Sequence, residues 1–496
     1  MSGNRSLGIH ALYLPHSTFD VRHFLFSFIL FFCSAQFCAG QKSSEPLLTV
    51  LPEKESVICL QKKTIQRINI TGNRRTKTTV ILREMSIAEG DQICADSLES
   101  ILHLNYQRLY NLNIFTDIKI TADTSNTQSI VINLALKEQW FIIPQADVQL
   151  ADRNVNVWWN EHNHDLSRIN LGVYLLHKNL SGRLDRLTLS THFGYTQQLT
   201  ATYYRPYIDR AQKQGIGFGA GFSRSKELAY TTVNNKLLFT RHNNDFLYNS
   251  FFANASWFYR AAYKTRHIIS LGYYNYSVGD TVKILNKDYF ANNSNQLRFT
   301  ELAYRYEYNG VDNWNYPRRG LKIVGTAASR FGMRGMNYQA LAGLELGVFE
   351  KLSNRFYASF IFRGRTTFTQ DQPYFLQSAF GYKTNYVRGY EYYVVEADHF
   401  AIGRISLKYE ALRRQFHQLP FRYLPELPFW IYPKVFFDCG YAANNAAKNN
   451  NDLANTLLYS VGFGVDIITA YDLKLRIEFA INHLGENGVY LHANSE

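Results

Sequence analysis

The residue most able to do chemistry in this chain is a lone arginine. In T-N-Y-V-R-G-Y-E-Y-Y-V-V, residues 384–395, Arg388 stands beside Gly389 among aromatic and β-branched residues, with no helical periodicity around it. In most proteins such an arginine is a surface residue of a loop. If it is instead enclosed by its aromatic neighbours it needs an anion, because an unpaired buried charge is costly. Further on, V-F-F-D-C-G-Y at 435–441 alternates: Val435, Phe437, Cys439 and Tyr441 share one face, and Phe436, Asp438 and Gly440 share the other. With the first face against lipid, Asp438 points into the interior of a barrel, and an acid held there invites a cation. The stretch G-R-I-S-L-K-Y-E-A-L-R at 403–413 likewise turns Arg404, Lys408 and Glu410 inward, making Glu410 an additional candidate lumenal acid.

Other motifs carry less. The glycines of G-I-G-F-G-A-G-F at 215–222 recur at every second position with no helix behind them, which fits a strand with Ile216, Phe218, Ala220 and Phe222 toward lipid rather than a nucleotide loop. His162 and His164 in E-H-N-H-D have no further metal ligand nearby and fit a polar loop, so no metal is expected. No nucleophile, base and oxyanion constellation emerges. The chain is therefore not expected to be an enzyme or to need a cofactor.

The elements that must position these residues follow from composition and periodicity. Among 496 residues, Tyr and Phe each occur 35 times and Pro only 11 times, a balance that suits many short strands. Near the start, Arg22 and His23 precede an apolar run from Phe24 to Cys33, with small Cys38 and Gly40 before a cleavage point; residues 1–40 fit a secretory signal peptide. Its removal leaves Cys59, Cys94 and Cys439, of which the first two are candidates either for a disulfide or for free buried thiols. Beyond the signal no run of eighteen apolar residues occurs, so a secreted chain of this kind is soluble, lipid-anchored or a closed barrel. The formal charge of +13 then points to anionic lipid surfaces rather than to nucleic acid.

Residues 41–63 form a linker, and 64–138 have a rhythm of their own. The order predicted is strand, helix, helix, strand, strand, with Thr76 capping the first helix and turns at Gly72-Asn73 and Gly90-Asp91. From residue 139 to 496 the pattern becomes repeated alternation. In L-K-L-R-I-E-F-A-I-N, Leu473, Leu475, Ile477, Phe479 and Ile481 face one way and Lys474, Arg476, Glu478 and Asn482 the other. That is the pattern of a membrane barrel strand, and the length accommodates about sixteen tilted strands.

Two sets of motifs carry a family resemblance. I-T-G-N-R-R-T at 70–76, E-G-D at 89–91 and R-L-Y-N-L-N-I-F-T-D-I-K-I at 108–120 resemble a POTRA domain. V-R-G-Y at 387–390, F-F-D-C-G at 436–440 and D-N-W-N-Y-P-R-R-G-L-K-I at 312–323 resemble, in order, the sixth-loop signature, the strand motif and a periplasmic turn of the BamA/TamA superfamily. The resemblance implies an α+β POTRA module followed by a transmembrane antiparallel β-barrel of sixteen strands. It implies a lumenal loop latch of Val387, Arg388, Gly389 and Tyr390 with Asp438 and Gly440, in which Arg388 meets Asp438. Gly72, Asn73, Gly90 and Asp91 would serve as POTRA motif residues that build the module.

The function implied is assembly and insertion of client β-barrels in the outer membrane through a lateral seam, without cofactor. By position, the seam lies between the segment Trp140 to Val148 and G-V-Y-L-H-A-N at 488–494. The alternative is a translocator of the two-partner-secretion type that exports one dedicated protein through the lumen. Expected partners are unfolded outer-membrane or secreted clients, periplasmic chaperones or accessory lipoproteins, and outer-membrane lipid, with the POTRA domain in the periplasm of a bacterial cell.

Overall fold

A computed structural model describes residues 62–492, apart from 127, 153, 243–244, 369–371, 383, 418–425, 445–450 and 470–473. The expected signal peptide, the linker up to residue 61, and Cys59 lie outside the described residues.

The first module comprises β1 (Lys62–Thr71), α1 (Thr78–Glu84), β2 (Gln92–Cys94), α2 (Leu98–Tyr110), β3 (Phe115–Asp123) and β4 (Ser129–Glu138). Its sheet runs β2-β1-β4-β3, with β1 and β4 parallel. Period-two alternation puts Ile65, Ile130, Ile132 and Leu134 on one face, where they pack with Ile81 of α1 and Leu109 of α2. Two details differ from the sequence reading. The three-residue β2 is an added strand, pairing Lys62 with Cys94; Cys94 is disulfide-bonded, one of the two alternatives left open above. Thr76 does not cap α1: Lys77 holds the N-cap position without a side-chain cap bond, and the buried Thr76 Oγ1 accepts from Asn179 Nδ2 at 2.8 Å.

The strands that follow are β5 (Ile142–Leu150), β6 (Ile169–Lys178), β7 (Arg186–Gly194), β8 (Thr196–Arg205) and β9 (Gln214–Ser225), with the short helix α3 (Val155–Asn160) between β5 and β6. A hairpin of β10 (Glu227–Val233) and β11 (Lys236–Arg241) stands outside the main circuit. Then come β12 (Tyr248–Ala262), β13 (Thr265–Val278), α4 (Asp280–Leu285), β14 (Gln296–Asn309), β15 (Gly320–Arg334), β16 (Tyr338–Lys351) and β17 (Phe356–Thr367). A long loop with the small pair β18 (Ser378–Phe380) and β19 (Val395–Glu396) leads to β20 (His399–Tyr409) and β21 (Leu412–His417). The chain finishes with β22 (Glu426–Ala443), β23 (Leu457–Ile468), β24 (Lys474–Asn482) and β25 (Asn487–His492).

These strands close into one antiparallel barrel in which β25 neighbours β5. Both β20 and β21 pair with β22, so they are two segments at one position of the wall and the circuit has sixteen positions. Outward residues are apolar and exposed, including Phe218, Phe222, Val461, Phe463, Ile477 and Ile481, as a lipid-facing wall requires. Among the described residues no helix is long and apolar enough to cross a membrane.

The first module is seated on the barrel end at which β5 begins. Glu84 at the end of α1 is buried, accepting from Arg260 Nη1 and Nη2 at 2.5 and 2.8 Å and from Tyr207 Oη at 2.7 Å. Burial alone would raise the Glu84 carboxyl, but the hydrogen bonds and charge of Arg260, with Tyr207 and Arg83, outweigh it and hold it below the usual range. Arg75 adds a bond to the Leu180 carbonyl at 2.8 Å.

Candidate functional site

At the opposite end, the loop between β17 and β20 folds back into the lumen. Val387, Tyr390, Ala379, Phe380 and Val395 form a buried cluster with Phe400 and Ile402 of β20, Ala442 of β22 and Leu458 of β23. Apolar packing of this kind holds the loop against one side of the wall and removes it from water.

Arg388 and Asp438 meet at the base of this loop, both fully buried at 0% exposure. Arg388 Nε and Nη2 donate to the two carboxylate oxygens at 2.9 and 2.5 Å, and the Arg388 backbone N–H adds a third bond at 3.1 Å. The fork geometry of guanidinium on carboxylate accounts for the choice of arginine over lysine. The guanidinium also donates to Ser406 Oγ and Glu478 Oε1, each at 3.2 Å, and lies 3.8 Å from the centroid of the Phe436 ring. Glu478 in turn pairs with Lys434 at 2.7 Å, and Lys434 with Asp466 at 2.6 Å. Arg388 thus ties the loop into a charge network on β20, β22, β23 and β24, and Glu391 of the same loop joins it through His492 of β25, which pairs with both Glu391 and Glu478.

Two glycines make the docking possible. Gly389 has φ +87°, a conformation that side chains resist, and its carbonyl accepts from Asn482 Nδ2 at 2.9 Å. A Cβ on Gly440 would stand 2.6 Å from Val387 Cγ2, so only a bare backbone on β22 admits the loop. Tyr390 is buried and donates to the Tyr459 carbonyl at 3.2 Å.

The remaining sequence-derived residues lie apart from this latch. Glu410 accepts from Tyr357 and Tyr432 hydroxyls at 3.3 and 3.2 Å, near Arg318, beyond the end of β20. Asn73 donates to the Thr76 carbonyl at 3.0 Å, Gly90 N–H to Ile65 at 2.8 Å, and Asp91 accepts from Ala88 N–H at 2.7 Å; all three shape turns, as does Gly72 with φ +86°. Glu478 was not singled out from the sequence. Its alternating position among Lys474, Arg476 and Asn482 carried the signal.

The closing of the barrel is a second feature. Phe141 accepts from Lys178 and Ala151 donates to Arg168, which fixes the alternation along β5. The odd-numbered positions bond β6, and the backbone groups of Ile142, Pro144, Ala146 and Val148 face away from it, toward β25. Pro144 has no N–H, so one rung of that ladder has no donor.

Comparison with known proteins bears on these features. The POTRA family (surface antigen variable number repeat) matches residues 63–138. Over 83 residues the chain is 32% identical to the outer membrane protein assembly factor BamA of Neorickettsia risticii (strain Illinois), a match spanning 17% of this chain and 11% of that protein. Among solved structures, BamA from Haemophilus ducreyi lacking POTRA domains 1-3 is 12% identical, with a TM-score of 0.47 over 87% of this chain and 83% of that one. CdiB from Escherichia coli is 10% identical, with a TM-score of 0.49 over 95% of this chain and 97% of its own. The chain thus carries a POTRA domain at residues 63–138, a stretch similar to BamA, and a closed lipid-facing β-barrel.

Proposed function

We propose that this protein is an outer-membrane assembly factor that inserts client β-barrels through the seam between β5 and β25, with its POTRA domain in the periplasm. The observation that carries the reading is the closing pair itself: Pro144 turns a nitrogen without hydrogen away from β6, toward the seam with β25. A ladder that lacks a donor at one position costs less to open, and the freed edge in hydrocarbon is a strong template for another strand. Arg388 and its partners act as the rigid side of this device, keeping β20 to β24 together while the seam works. Clients are unfolded outer-membrane proteins, delivered by periplasmic chaperones or accessory lipoproteins.

A dedicated translocator is the second reading. It is favoured by a cavity along β12 to β16 whose lining includes the polar Asn254, Ser256, Ser270 and Thr326 and the charged Glu301 and Arg305, groups suited to water. The loop filling the other side of the lumen favours insertion over conduction. Depletion in the native cells, followed by mass spectrometry and heat-modifiable gel mobility of outer-membrane barrels, separates the two. Broad loss of folded barrels is the expected result; loss of a single exported protein would replace the first reading with the second.

A further inference from the structure

The edge that β25 turns toward β5 is occupied at one point by something other than a strand. Asn482 donates to the Glu486 carbonyl, so the paired positions bonded to β24 are Gly488, Tyr490 and His492, and the backbone groups of Asn487, Val489 and Leu491 face the seam. The N–H of Leu491 goes to Asn156 Oδ1 at 3.3 Å. Asn156 is buried, and it belongs to α3, the short helix that follows β5.

The helix is held there from several sides. Asn154 caps it, accepting from Val157 N–H at 2.8 Å, and donates through Nδ2 to the Glu391 carbonyl of the latch loop at 2.9 Å. Asn160 Nδ2 donates to Tyr392 Oη at 2.5 Å, and Tyr392 packs on Tyr490 of β25 with ring centroids 5.9 Å apart. Val157 is buried, and α3 packs directly against β25. An amide side chain copies the acceptor of a peptide group, so Asn156 satisfies a strand edge without forming a ladder.

We infer that α3, through Asn156, is a built-in cover on the seam edge of β25 at Leu491, displaced when an incoming strand takes that edge; the inference rests on the seam reading above. It occupies a backbone position that the seam ladder leaves to a side chain, and because α3 is tied to Glu391 and Tyr392 its release is coupled to the latch loop.

The test uses the full chain in detergent micelles and a fluorescent synthetic peptide copying Ile142–Leu150, together with hydrogen exchange at the Leu491 amide. Asn156→Ala should raise exchange at Leu491 and peptide association by roughly fivefold, the change expected for one hydrogen bond of about 1 kcal/mol. Asn156→Gln, which keeps a neutral amide acceptor, should lie closer to the unaltered protein than Asn156→Ala does and controls for folding. Unchanged Leu491 exchange in Asn156→Ala, or peptide association equal in both proteins, overturns the cover. These readouts need no client. A cysteine pair locking β5 to β25 tests the seam separately: client insertion that survives the lock removes the seam reading.

Discussion

Arg404 and Asp438 stand directly opposite each other in the β20–β22 ladder, yet the shortest contacts of the aspartate go to Arg388, which arrives from a loop. Arg404 Nε stays 3.6 Å from Asp438 and sends Nη2 to the carbonyls of Thr384 and Tyr386. The wall arginine thus holds the loop backbone, and the wall aspartate holds the loop arginine. Two reciprocal clamps fix one segment.

Arg388→Ala leaves Asp438 with Arg404 as a nearby substitute cation, whereas Asp438→Ala strands Arg388 on Glu478 and Ser406. Breaking a buried pair costs about 3–5 kcal/mol. Arg388→Ala should fall at the low end of that range and Asp438→Ala at the high end, measured by urea unfolding with heat-modifiable mobility as readout. Equal losses would show that Arg404 does not re-pair.

Gly440→Val should expel the loop without unfolding the wall, since the new Cβ would stand only 2.6 Å from Val387 Cγ2. Conductance in planar bilayers should rise over the unaltered protein. An unchanged trace would mean that the loop does not block the lumen.

Docking of the POTRA domain should resist acid. Because Glu84 is held below its ordinary value of 4.5, its contribution is present above that pH and is lost only as pH falls through the depressed value. Interspin distances between α1 and the β8–β9 turn should therefore stay constant from neutrality down to about that pH and broaden only below it. Glu84→Gln should broaden them at pH 7.

Pro144→Val gives the seam the donor it lacks and suits a strand. One added bond of about 1 kcal/mol should slow client insertion into liposomes roughly fivefold. Unaltered rates would mean that the Pro144 position does not limit opening.

Much of this architecture was legible because membrane barrels write their two faces at alternate positions. The inward placement of Asp438 and the outward placement of Phe218 followed from period two alone. Which inward residues would meet did not follow, because the Arg388 and Glu478 contact joins strand and loop 90 residues apart. Thr76 illustrates another limit: a threonine before a helix has the chemistry of a cap, but a distant asparagine claimed its oxygen. The three-residue β2 is too short to leave a period, and Asn156 shows no pattern because its partner is a backbone amide at the other end of the chain.

The latch also sets an order of events in the protein's own biogenesis. Arg388 is synthesised before Asp438 and Glu478, and its ligands exist only once β22 and β24 have aligned. Until then an arginine-bearing loop must wait at the mouth of an open sheet, and closure of the final strands completes the plug and the wall together. Contacts this distant in sequence form late. A newly made copy is thus itself an unsealed barrel in need of the service that the finished one is proposed to provide.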